Sequence, residues 1–138
     1  MRHRGSGMKR GGAHWHKTLL SRFADREDIG KEKLYEEYFS DLPKTDVFEV
    51  FDLIEFEYEI PAGLLRPEDN LSRLFEPVKT RNPFKWLEYQ VREADSRIEI
   101  INELVKREKQ HGTYGDQSKI ETIDELIYAW CGQKHGKS

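Results

Sequence analysis

The run DVFEVFDLIEFEYEIPAGLLRPEDNL, Asp46 to Leu71, is strongly apolar and admits two readings. Phenylalanine, valine and isoleucine at this density suit a strand as well as a helix. The spacing decides between them. Val47, Phe51, Ile54 and Tyr58 recur at 4-3-4, with Val50 and Phe48 widening the stripe. That is one face of a helix and too long for an ordinary strand. Asp46 followed by Glu49 predicts a capping box at its start. Pro61 ends it, because the residue before a proline avoids helical angles, and Gly63 lets the chain turn. Leu64, Leu65, Leu71, Leu74 and Phe75 are apolar enough to tuck the loop under the helices, with Asp69 or Asn70 positioned to cap a short turn at 71–75.

Working outward, the same pattern repeats on both sides. Leu34, Tyr35, Tyr38 and Phe39 place a helix over 31–40, closed by Pro43. Leu19, Leu20 and Phe23 predict a short element docked on the core. On the other side, Asn82-Pro83 is an N-cap residue followed by proline at the first helical position. Phe84, Leu87, Val91, Ala94, Ile98, Ile101 and Val105 follow at 3-4-3-4-3-4. This is a coiled-coil period over 84–105. Its ordinary reading is a core-facing stripe; its alternative is a seam for another helix. One long helix is expected, although Ser96 with Glu99 forms a second capping-box pattern and so marks a possible break. Thr122 with Glu125 forms a third, opening a last helix whose apolar face is Ile123, Leu126, Ile127 and Trp130. The expected fold is all-α: a small helical bundle spanning 18–132 as a single domain. A basic tail without periodicity, expected to be disordered, occupies 1–17, and a short basic tail 133–138.

Composition bounds the function. The 138 residues are 36% hydrophobic, 36% charged and 12% aromatic, which suits one soluble domain and not a disordered chain. No apolar run approaches the ~20 residues that span a bilayer, and the basic N-terminus lacks the apolar segment of a secretory signal. A cytoplasmic location is the default. Net charge is −3, yet Arg2, Arg4, Lys9, Arg10, Lys17 and Arg22 stand in the first 22 residues without an acid. Such a tail can touch nucleic acid, but a solvated tail is the simpler expectation.

The order of parts resembles an acyl carrier protein. Val47–Ile60 is similar to that family's first helix, Leu65-Arg66-Pro67-Glu68-Asp69-Asn70-Leu71 to its long loop, and Ile120-Glu121-Thr122-Ile123-Asp124-Glu125-Leu126-Ile127 to the entry of its final helix. The resemblance covers about 46–130. It implies a carrier serine bearing phosphopantetheine, within Asp-Ser-Leu at a helix start. That motif is missing here. The nearest match is Ala94-Asp95-Ser96-Arg97, so Ser96 is the candidate attachment site, on the condition that the helix breaks there. A phosphate on a serine needs an exposed hydroxyl at a positive helix end. The chain is also similar to acyl-carrier-like proteins that lack the serine.

Other chemistry is thin. His3, His14 and His16 lack a third ligand at useful spacing. Cys131 excludes an internal disulfide and reads as a small thiol beside Trp130. The acids Asp46, Glu49, Asp52, Glu55, Glu57 and Glu59 read as a solvated face. No P-loop, dinucleotide fingerprint or nucleophile elbow is present. The leading expectation is a non-enzymatic protein without cofactor or metal that acts through contacts with protein partners, as monomer or homodimer. The alternatives are a carrier modified on Ser96 and an adaptor dimerising through 84–105.

Overall fold

In a computed structural model of the protein, residues 20–74, 81–111 and 120–133 are described. The fold is an all-α bundle. Its helices are α1 (Lys31–Tyr38), α2 (Lys44–Tyr58), the single turn α3 (Leu71–Leu74), α4 (Pro83–His111) and α5 (Ile123–Trp130). Two short 3-10 turns, Ser21–Phe23 and Ala62–Leu64, complete it. Among the described residues the one strand-like feature is an isolated antiparallel bridge between Asn70 and Thr122. No described helix is long and apolar enough to cross a membrane. The tail 1–17, with its histidines, lies outside the described residues, as do Leu19, Phe75 and 134–138.

Helix α2 is the centre of the core. Val47, Val50, Phe51, Ile54 and Tyr58 are buried on it, as its period requires. It packs against α1, α4 and α5. Phe39 meets Phe51 edge-on at 6.1 Å, and Phe48 meets Phe51 at 5.6 Å. Both separations lie in the range favoured by ring quadrupoles. The predicted capping box does not form. α2 starts two residues earlier, at Lys44, behind an uncapped Pro43. Asp46 and Glu49 instead reach α4.

The exit from α2 is built tightly. Glu59 ends the helix in the left-handed region, φ 58°, and Glu55 Oε2 accepts from the Ala62 amide at 2.8 Å. Gly63 then runs against the chain at Asp28–Gly30. A Cβ there would stand 2.3 Å from the Gly30 nitrogen, so no other residue fits without moving backbone. Arg26 grips Asp69 through two bonds of 2.7 Å, and Asp69 also accepts from the Arg66 amide. The loop held in this way docks on the entry to α5. The Leu71 amide donates to Glu121 O at 2.7 Å, and the Ile123 amide to Asp69 O at 3.0 Å. Two of the three segments compared with an acyl carrier protein, 65–71 and 120–127, are therefore neighbours in space.

Three expected caps are present. Asn70 Oδ1 accepts from the Arg73 amide. Asn82 Oδ1 accepts from the Phe84 amide at 2.9 Å. Thr122 and Glu125 form a complete capping box. Besides the box at Asp46 and Glu49, the one at Ser96 and Glu99 is not used, because α4 runs through without a break.

Candidate interaction surface

Helix α4 has two faces of different chemistry. The bundle side carries Tyr89, Ile100 and Leu104, together with Arg92, Glu93, Ser96 and Glu108, all buried. The stripe Phe84, Leu87, Val91, Ala94, Ile98 stands roughly opposite, at 100° per residue. Phe84 is 82% exposed, Leu87 57% and Ile98 55%. Val91, Ala94, Ile101 and Val105 are half-buried. The ordinary expectation for this stripe, that it faces the core, is corrected. The bundle takes the more polar face and leaves the apolar one outside.

The reason lies at the C-terminal end of α2, whose last carbonyls have no partner within the helix. Arg92 Nη1 donates to Glu57 O at 2.9 Å, and Ser96 Oγ donates to the same oxygen at 3.2 Å. Arg92 Nη2 pairs with Glu59 Oε2 at 2.9 Å. A guanidinium and a hydroxyl thus close the negative end of a helix. Burial lowers the Arg92 pKa, opposed by the nearby Glu59 and Glu57. An apolar stripe in this place would strand the carbonyl.

Ser96 is consequently far from the surroundings a carrier serine needs. It is 1% exposed, in the middle of an unbroken helix, and its hydroxyl also accepts from Arg92 Nη1 at 3.1 Å. The condition on which it became a candidate, a helix start at Ala94–Ser96, is not met. The helix end it faces is the negative C-terminal end of α2, which disfavours a phosphate.

Further along, Arg107 joins three helices. It donates to Glu49 Oε1 at 2.7 Å, Asp46 Oδ1 at 3.0 Å and Trp130 O at 3.2 Å. Its guanidinium lies 5.2 Å from the centre of the Trp130 ring, within cation–π range. Glu49 Oε1 also accepts from Trp130 Nε1. Lys31 pairs with Asp52 and Glu55. The acids of α2 therefore make cross-links even where they stay solvated, as Asp52 does, and Glu57 alone among them is buried. Sequence reading missed Arg92 and Arg107. Their signal was register: both fall on the face of α4 marked by Tyr89, Ile100 and Leu104.

Two further features complete the surface. A cleft of about 410 Å³ lies where α4 meets α3 and α5, with Tyr58, Leu71, Ile100 and Leu126 as apolar walls. Glu93 and Arg97, paired at 3.2 Å, stand on its α4 side. Burial raises the Glu93 pKa, which Arg97 partly offsets. Cys131 is buried beyond α5, and burial, reinforced by Asp46, pushes its thiol up to about 12. A thiol so placed is a poor nucleophile at neutral pH.

No family model, no curated protein and no solved structure matches this chain.

Proposed function

We propose that this protein is a non-enzymatic helical module, cytoplasmic and acyl-carrier-like in its order of parts, that works through contact with other proteins. One observation carries the reading. The bundle holds α4 by its polar face and presents Phe84, Leu87 and Ile98 to solvent. Scattered apolar side chains on a surface need no explanation, but a periodic stripe along one helix is the form a helical partner recognises. Phe84, Leu87 and Val91 also line a shallow groove beside Asn82 and Glu88.

The carrier-like part of the reading is supported by the docking of the 65–71 loop on the entry to α5. It parts from a working carrier at Ser96, whose hydroxyl is spent on the end of α2.

The experiment places a photo-crosslinking residue at Leu87, or at Lys106 as a control off the stripe, and irradiates cells that produce the full chain. Protein adducts at position 87 and far fewer at 106 are expected. An adduct pattern equal at both positions, or absent from both, refutes the reading.

A further inference from the structure

Resting on that reading, and naming the partner for the same face, we propose that the occupant of the α4 stripe is a second copy of this chain, paired in parallel over Phe84–Ile98.

Written as heptads, the first core position holds Phe84, Val91 and Ile98, and the second holds Leu87 and Ala94. Valine and isoleucine at the first position favour two parallel strands, because their branched Cβ packs there without strain. Ala94 sits centrally and lets two backbones approach closely. The flanking residues agree. In a parallel pair Gln90 faces Asp95 of the other copy, and Arg97 faces Asn102, so no like charges meet. In an antiparallel pair Glu88 falls beside Asp95 of the other copy, twice by symmetry, and two acids in contact disfavour that arrangement.

The tertiary structure supplies what the pattern lacks. A seam this short is marginal for two free peptides, which must order their helices as they pair. Here α4 is already ordered by Tyr89, Ile100 and Leu104 in the core and by Arg92 and Arg107 at its cross-links. The folding cost of the helix is met within each bundle, so association needs only docking of two prepared faces. The bundles lie on the far sides of the two helices and leave Phe84, Leu87 and Ile98 exposed, with Val91 and Ala94 half-buried between them. Toward the C-terminal end the buried face rotates nearer to the seam, with Leu104 and Glu108 both buried. The two copies therefore diverge past Ile98. The result is a closed two-fold interface in which the same patch serves both partners.

Sedimentation equilibrium of the full chain over a range of concentrations tests the pairing. A reversible dimer is expected. Ile98→Glu would weaken it at least about 100-fold, since a carboxylate would be buried against its own copy, whereas Lys106→Ala would leave it unchanged. Circular dichroism of both variants reports the bundle separately. Leu87→Cys in a Cys131→Ser background tests the direction. In a parallel pair the two new thiols meet, and air oxidation yields a covalent dimer; in an antiparallel pair they stand more than about 10 Å apart along the seam and stay reduced. A monomer at every concentration overturns self-pairing, as does a dimer that Ile98→Glu leaves intact. A seam-dependent dimer that Leu87→Cys cannot link overturns the parallel arrangement. The wider reading is judged separately: adducts at Leu87 made only with other proteins sink the second copy and leave protein contact standing.

Discussion

Glu93 shows how a single residue records the choice of face. It sits on the bundle side of α4, and its carboxyl is held above the ordinary value of 4.5 by burial, with Arg97 acting the other way. The sign of its effect on stability follows. The folded chain keeps the proton to higher pH than the unfolded chain does. Below the ordinary value both are protonated and the residue is neutral in the balance. As pH rises above it, the unfolded state ionises first and folding stability falls. Glu93→Gln is expected to raise the urea unfolding midpoint at pH 7 and to match the wild type near pH 4. A gap that shrinks as pH rises would contradict this assignment. Losing the Arg97 pair matters little, because Arg97 is more than half exposed.

At the scale of elements, charged side chains do the work of caps and crossings. α2 begins without a side-chain cap, and Asp46 of its first turn and Glu49 of the next are engaged by Arg107 from α4. One planar guanidinium meets two carboxylates, a carbonyl and an aromatic ring, which a lysine ammonium on a flexible stem does not reproduce. Arg107→Lys is therefore expected to cost about 1–2 kcal/mol, with the same denaturant slope. Chemical denaturation followed by circular dichroism measures it. A neutral result would show that the α4 junction rests on apolar packing alone. Thr122 and Glu125 are the opposite case, a local cap that needs nothing from elsewhere in the chain.

For the whole molecule the question is access. Ser96 lies under the α2–α4 contact, so a transferase reaches its hydroxyl only when that contact opens. Openings of a core helix approach the free energy of global unfolding. Incubation of the folded chain with coenzyme A and a permissive phosphopantetheinyl transferase is expected to leave the intact mass unchanged. A gain lost in Ser96→Ala would restore the carrier reading.

Much of the fold was legible in the sequence. The 4-3-4 spacing of Val47, Phe51, Ile54 and Tyr58 determined α2 and its buried face, Pro61 with Gly63 determined its exit, and Asn82-Pro83 and Thr122–Glu125 determined two helix starts. Each of these depends on neighbours within a few residues. The orientation of α4 was not legible. Its two faces are both periodic, and local spacing favours the more apolar one for the core. Tertiary structure decided otherwise, because this face brings Arg92 and Ser96 to donate to the carbonyl of Glu57 at the end of α2. The same long-range contact turned the candidate serine inward and the heptad stripe outward. Periodicity counts apolar residues along one helix, whereas the groups left unpaired at the end of another helix determine which face is buried.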